Sequence, residues 1–359
     1  MKLAMICFSL NGRETGEKLK RIFESRNEEV RFVKKSKYIA DGDDINVDDW
    51  TREQFAWADA ILFIGACGIA VRHIAPYIKS KKKDPAVIVT DECGKFVISL
   101  LSGHLGGANE LAGQIAEFLG AIPVVTTATD LHHCFAVDVF ARKNKCEIFQ
   151  MQAAKDVSAA LLAGKKVGFY SDFPWEGSLP EGLVWCDENG KPYDENGTIN
   201  ENAEPFSTGV AVTVYKDRKP FLLTTSVVPK NLVLGMGCRR GKDAEGILDA
   251  AWNALQTAGV YKQAVSKLVS IDLKKEEEGL KKLSEAWEIP FFTYSEEELS
   301  KVPGEFHASS FVKSVTGVDN VCERSAVLGS DYGSLIQRKI GRDGVTTALA
   351  MKEWRIHFE

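Results

Sequence analysis

Short apolar runs alternate along the chain with stretches whose apolar residues recur every three or four positions, and the rhythm starts at once. Lys2-Leu-Ala-Met-Ile-Cys-Phe8 reads as a strand, and Ala60-Ile-Leu-Phe-Ile64 as another that leads through a Gly-containing turn into a helical pattern from Ile69 to Lys79. Ala86–Thr90 and Phe96–Leu101 flank a turn at Glu92-Cys93-Gly94; Asn109 to Leu119 is helical, and Ile122–Thr126 returns to extended chain. Strands interleaved with helices predict an α/β fold with a largely parallel sheet. The nearly continuous apolar content of Phe96–Leu101 predicts a strand buried on both faces.

The rhythm breaks in the middle of the chain. A helical stretch from Ala153 to Leu162 and a strand at Val167–Tyr170 precede Pro174 to Thr208, where four prolines, four glycines and eight acidic residues accompany one lysine. This segment reads as a long loop or small irregular insert. Trp175, Trp185, Tyr193 and Phe206 predict that parts of it dock. Val210–Tyr215 and Phe221–Thr225, separated by Lys216 to Pro220, predict a hairpin. From Asn231 the α/β pattern resumes, with a helix near Ala244 to Leu255, a strand at Leu268–Ile271, an acidic helix from Glu276 to Trp287 and a strand at Pro290–Thr293. The Asp343-Gly344 pair between the extended runs Ser334–Ile340 and Val345–Met351 predicts a closing β-hairpin. The expected organisation is two α/β domains, residues 1–150 and 231–359, joined by a middle region, 151–230. A length of 359 residues accommodates this at roughly 150 residues per domain.

Composition narrows the function. Hydrophobic residues make up 45% and charged residues 26%, an ordinary globular mixture, and the net charge is −5 with no basic segment. A nucleic-acid partner is therefore not expected. The lysine-rich run from Lys79 to Lys83 reads as a solvated helix end. Eight cysteines are scattered without a C-x-x-C pair, so neither a disulfide framework nor a protein-held metal is expected. No apolar run reaches the roughly 18 residues of a membrane span, and the opening strand is too short for a signal peptide. Reducing cytoplasm is the expected compartment.

Candidate chemistry concentrates in three places that share one local grammar of strand, Gly-rich turn and helix. These are Gly65-Ala-Cys67-Gly68, Ser102-Gly103-His104-Leu-Gly106-Gly107-Ala-Asn109, and Gly235-Met-Gly237-Cys238-Arg239-Arg240-Gly241. Glycine admits close approach of a ligand to the backbone, and free N–H groups at a helix start attract anions. Each turn is equally compatible with a tight bend that binds nothing. The third lacks the spacing of a P-loop, with Asp243 after Gly241-Lys242, and also lacks the dinucleotide fingerprint.

Taken together these segments resemble the cobalt-precorrin-5A hydrolase family of anaerobic cobalamin biosynthesis. The resemblance rests on Gly65-x-x-Gly68-Ile-Ala-Val-Arg72-x-Ile-Ala-Pro76, on Leu100-Leu-Ser-Gly-His104-Leu-Gly-Gly-Ala-Asn109-Glu-Leu, and on Thr126-Thr-Ala-Thr-Asp130. Gly235-x-Gly237-Cys-Arg-Arg-Gly241 and Val318-Asp-Asn-Val-Cys-Glu323-Arg324-Ser-Ala326 complete it. It implies a hydrolase that opens the ring A lactone of a cobalt tetrapyrrole and releases a meso carbon as acetaldehyde. The cobalt would arrive with the substrate and no cofactor would be needed; neighbouring enzymes of the corrin pathway are further implied partners.

Such a substrate is a large polyanion, which Gly-rich turns and guanidinium groups suit. Gly65, Gly68, Arg72, His73, Gly103, Gly106, Gly107, Asn109, Gly237, Arg239, Arg240 and Arg324 are the substrate-binding candidates. His104, inside the second turn and titrating nearest neutrality, is the first choice for general acid or base, with Asp91 and Asp130 as carboxylates that could orient it or supply a proton. Structural roles stand beside each: loop packing for His104, turn formation for the aspartates, ion pairing for the arginines. Cys67, Cys93 and Cys238 lie near glycines but lack an adjacent activating group. The alternative function is a non-catalytic tetrapyrrole carrier.

Overall fold

The computed structural model of the chain describes residues 1–80, 83–104, 106–128 and 134–358. They form two compact units, Met1–Val139 and Phe140–Glu359. In the first, β1 (Lys2–Cys7), β2 (Glu29–Lys34), β3 (Ala60–Ile64), β4 (Ala86–Thr90), β5 (Phe96–Leu101) and β6 (Ile122–Val124) build one sheet in the order β2-β1-β3-β4-β5-β6. Helices α1 (Leu10–Ser25), α2 (Val47–Trp57), α3 (Cys67–Ile74) and α4 (Ala108–Leu119) pack on it. Alternation along β3 feeds two cores at once. Leu62 and Ile64 pack with Leu19 and Phe23 of α1 and Ile115 of α4, whereas Ile61 and Phe63 pack with Trp50 of α2 and Ala70 and Ile74 of α3. Strands buried on both faces lose their polar alternation for this reason. Pro76 stops the expected long helix early, leaving a 3-10 turn at Ala75–Tyr77.

Strand β5 departs from expectation. It is antiparallel to β4, because only a five-residue turn, 91–95, connects them, far too short for a parallel crossover. It is also not buried on both faces: Val97 is enclosed, but Phe96 is 46% exposed. Its outer neighbour β6 is a three-residue strand that covers little of it.

The second unit contains two sheets, and α5 (Val137–Lys143) spans the division between units. β7 (Cys146–Phe149), β8 (Val167–Ser171), β10 (Leu183–Trp185), β11 (Thr208–Val212) and β12 (Leu223–Pro229) run in the order β10-β8-β11-β12-β7, with α6 (Met151–Leu162) alongside. Residues 146–149 thus belong to the middle sheet, although the sequence pattern groups them with the first α/β segment. The irregular acidic segment docks through its aromatics: Trp185 meets Phe169 edge-on at 5.2 Å and packs against Trp175 at 4.1 Å. Trp175 starts the short strand β9 (Trp175–Glu176), which pairs with β18 (Ile356–His357).

The expected hairpin at 210–225 is not formed, since β11 and β12 are parallel. Residues 213–222 carry the chain back across the sheet end, and they do so because Val214 and Phe221 are buried there. The Phe221 ring occupies the space over Gly168 and Gly209, which a side chain at either position would fill.

The third sheet follows the reading more closely. β13 (Leu232–Cys238), β14 (Val265–Ile271), β15 (Phe291–Tyr294), β16 (Ser334–Arg342) and β17 (Val345–Met351) lie in the order β15-β14-β13-β17-β16. α7 (Ala244–Thr257), α8 (Glu278–Trp287), α9 (Glu296–Ser300), α10 (Ser310–Thr316) and α11 (Cys322–Gly329) accompany it. β16 and β17 form the hairpin, with Asp343 at φ 49° and Gly344 at φ 79°, the left-handed pair that its tight turn requires. The two sheets of this unit meet at Tyr261, whose ring stacks on Phe149 at 4.4 Å and whose N–H donates to Val214 O.

Helix α11 approaches β13 so closely that a Cβ on Gly235 would lie 1.9 Å from the carbonyl oxygen of Cys322. Gly235→Ala therefore forces α11 off the sheet and should cost about 3 kcal/mol, read as a lowered urea midpoint of the full chain; an unchanged midpoint would contradict this packing.

Candidate functional site

The antiparallel turn of β5 sends residues 102–109 to the sheet edge opposite the carboxyl ends of β1, β3 and β4. Ser102 Oγ accordingly donates to Asp84 O, just before β4 begins. β6 is parallel to β5, so Thr126 and Thr127 emerge at the same edge. There His104 Nδ1 lies 3.4 Å from Asp138 Oδ2, the two side chains being 16% and 18% exposed. A carboxylate at Nδ1 fixes the ring orientation.

The loop that presents His104 is dictated by close backbone packing. A Cβ on Gly103 would sit 2.7 Å from Asn109 Oδ1, and one on Gly106 would sit 2.4 Å from Ser102 Cβ. Gly107 takes φ 79° at the start of α4. Asn109 ties the edge together, since Ser99 Oγ donates to its Oδ1 at 2.6 Å and its Nδ2 donates to Thr127 Oγ1 at 3.2 Å. Gly103, Gly106, Gly107 and Asn109 are thus explained as the frame of His104. Asp130 lies outside the described residues.

Asp91 is at the other edge, a strand length of β4 away, about 17 Å. It does not orient His104. Its carboxylate accepts N–H bonds from Cys93, Lys95 and Phe96 at 2.7–2.9 Å, which makes it the residue that shapes the reversing turn. Gly65 and Gly68 share that edge, at the point where strand order reverses between β1 and β3, a usual place for ligands in such sheets. α3 starts there with no side-chain cap, and the Arg72 guanidinium folds back to 3.8 Å from where a Gly68 Cβ would be. His73 faces away from this turn and pairs with Asp48 at 2.5 Å.

In the second unit Gly235 and Gly237 lie inside β13 rather than in a turn, Gly235 beneath a closely packed helix and Gly237 on the wall of the cavity described next. The turn that follows is already supplied with carboxylates: Gly241 N donates to Glu277 and Asp243 caps α7 through Gly246 N. Anion attraction comes instead from side chains. A cavity of about 640 Å³ opens at the carboxyl ends of β13 and β14, bounded by Arg239, Arg240, Lys274, Lys339 and Arg342 and by the valines of α10. Arg239 and Arg240 had a sequence signal; Lys274, and Lys339 and Arg342 of β16, lie in elements far from that motif and had none. Asp138 was missed for the same reason.

Arg324 does not reach this cavity. Its Nε donates to Asp319 at 3.0 Å, its Nη1 to the carbonyls of Leu299 and Val302, and its guanidinium covers the Phe306 ring. Neighbouring Glu323 is buried, which by itself would raise its carboxyl; N–H groups of Lys339 and His307 and the His307 ring nevertheless hold it below the usual carboxylate range. Burial pushes the Cys238 thiol up to about 11 and the Cys322 thiol to about 12, the opposite of nucleophile activation. Cys7, Cys67, Cys93, Cys146, Cys186, Cys238 and Cys322 form no disulfide, and among the described residues no group of three His, Cys, Asp or Glu could hold a metal. No described helix is long and apolar enough to cross a membrane.

Three family descriptions match in series: Cobalamin synthesis G N-terminal over residues 49–130, Cobalamin biosynthesis central region over 135–228, and Cobalamin synthesis G C-terminus over 232–350. The chain is similar to a cobalt-precorrin-5A hydrolase of Salmonella typhimurium, with 35% identity over 84% of each chain. It is also similar to one of Priestia megaterium, with 33% identity over 80% of this chain and 78% of that one. A solved structure titled as a putative cobalamin biosynthesis protein G homolog from Sulfolobus solfataricus aligns over 98% of this chain and 97% of the other, with 22% identity and a TM-score of 0.41.

The bonds of Arg324 make a substrate role and a structural role separable. Arg324→Gln should lower stability by about 2 kcal/mol, as two carbonyls and one carboxylate lose their donor, while KM moves less than about twofold; a large KM increase in a protein of unchanged stability would return Arg324 to the substrate site.

Proposed function

This chain belongs to the cobalamin synthesis G family and is a hydrolase of cobalamin biosynthesis; we propose that His104 and Asp138 carry the proton transfers by which it converts cobalt-precorrin-5A to cobalt-precorrin-5B. The observation behind this assignment is the 3.4 Å approach of His104 Nδ1 to Asp138. The imidazole, oriented by that carboxylate, takes a proton from water as the water attacks the lactone carbonyl. Collapse of the tetrahedral adduct breaks the ester C–O bond, leaving the ring A acetate as a free carboxylate and a hydroxyl on the departing meso carbon, which receives the proton. Deprotonation of that hydroxyl then expels the carbon with its methyl group as acetaldehyde. The electron pair of the broken C–C bond passes into the macrocycle, which takes up a proton.

In this reading Asp138 is a positioning residue and His104 the catalytic one. Gly103, Gly106, Gly107 and Asn109 hold the His104 loop, while Gly65, Gly68 and Arg72 form a separate anion-receptive turn at the opposite sheet edge. The chemistry consists of hydration, proton transfer and C–C cleavage, so the cobalt bound in the substrate is the one metal it calls for, and no organic cofactor enters. Cysteines scattered along the chain without a C-x-x-C pair fit the reducing cytoplasm, and a labile product fits direct transfer to a neighbouring corrin-pathway enzyme.

His104→Ala should lower acetaldehyde release from cobalt-precorrin-5A by at least about 100-fold in a folded protein, the scale of a lost proton-transfer group, and Asp138→Asn by at least about tenfold. An alcohol dehydrogenase coupled assay reads the aldehyde directly, and chelator-treated enzyme should match untreated enzyme. Near-normal release by both folded variants would remove the pair from the mechanism; tight corrinoid binding by wild type with no aldehyde would replace hydrolysis with a carrier role.

A further inference from the structure

The cavity at the carboxyl ends of β13 and β14 has no part in the proton chemistry above, and its charge is out of keeping with the rest of an acidic chain. Five cations border it, Arg239, Arg240, Lys274, Lys339 and Arg342. Two are neutralised locally, Lys274 by Glu277 at 2.9 Å and Arg342 by Asp343 at 3.5 Å. Arg239, Arg240 and Lys339 have no carboxylate within ion-pair distance among the described residues, which leaves a surplus of three positive charges. They are gathered from two distant places in the chain: the turn after β13 supplies two, and β16 supplies the third. Glu323 accepts the Lys339 backbone N–H at 2.7 Å and so fixes the strand that carries it.

Opposite this rim the wall is apolar. Val312 and Val315 of α10 and Val321 and Ile271 line it, and Val315 is 62% exposed to the opening. The cavity volume of about 640 Å³ is that of a drug-sized ligand site and far exceeds what one small anion needs. No aromatic ring lines it among the described residues, so it lacks the stacking surface expected for a nucleotide base. An apolar body that carries several carboxylates satisfies the wall and the rim together, because guanidinium and ammonium groups then pair with charges at the ligand's edge while its body covers the valines.

We propose that this cavity is a binding site for the carboxylate-bearing edge of a corrin-type macrocycle, formed by Arg239, Arg240 and Lys339 against the α10 valines and built entirely within the second unit. The choice of macrocycle rests on the hydrolase reading; the preference for an apolar polycarboxylate rests on the cavity alone.

Cobyrinic acid and its uncharged methyl ester are the probes, titrated against the full chain by isothermal calorimetry. Wild type should bind the acid at least about tenfold more tightly than the ester, with affinity falling as salt rises. Arg240→Gln combined with Lys339→Gln replaces two cations by neutral side chains and should weaken the acid by about tenfold or more. Val315→Asp, which places a like charge on the exposed wall, should do the same, with thermal melts confirming that both variants fold. Equal affinity for acid and ester, unchanged affinity in both cavity variants, or ATP displacing the acid at equal concentration would each overturn the proposal. A wild type that binds cobyrinic acid through these residues yet releases no acetaldehyde from cobalt-precorrin-5A would instead refute the hydrolase reading and leave the site standing.

Discussion

The carboxylate of Asp91 receives three backbone N–H bonds in the turn 91–95, and the placement of chemistry in the first unit depends on that turn. It reverses the chain, making β5 antiparallel to β4. β6 returns parallel to β5, so the loops after both strands open on the same edge. His104, Asn109, Thr127 and the start of α5 gather there, away from the Gly65 turn at the carboxyl ends of β1 and β3. A connection long enough for a parallel crossover would have sent His104 to the same edge as Gly65 and Asp91.

Glycine plays different parts in the two units. Around His104 it lets a loop fold upon itself, because Gly103 and Gly106 sit against Asn109 and Ser102 at distances no side chain tolerates. In β13 it lets a helix reach a sheet, with α11 pressed against Gly235. Where anion attraction is strongest, at the cavity beside β13, long cationic side chains supply it, and they are held by a hairpin turn and by buried Glu323.

Much of the architecture is legible as periodicity. The buried strands β1, β3 and β4 are unbroken apolar runs, α4 and α6 to α8 show their three- and four-residue spacing, and Asp343-Gly344 marks a hairpin that forms. Where reading failed, a distant partner had decided the outcome. The segments at 208–229 look like a hairpin because their apolar runs are close in sequence, but Phe221 is drawn under Gly168 and Gly209 and the strands end up parallel. Arg324 stands in a motif and is nonetheless consumed by Leu299, Val302 and Asp319, none of which its own spacing announces.

The sequence by itself determined the α/β class, the Ser102–Asn109 loop as the place of His104, and the absence of a nucleotide-binding pattern, because each of these is written in neighbouring residues. Tertiary structure brought Asp138 to His104 and left Asp91 at the other edge, since a strand's direction is set by the length of its connection and by its hydrogen-bonded neighbour. It also decided that Lys339 joins Arg239 and Arg240 at one rim, a juxtaposition about one hundred residues apart that only the pairing of β17 with both β13 and β16 brings about.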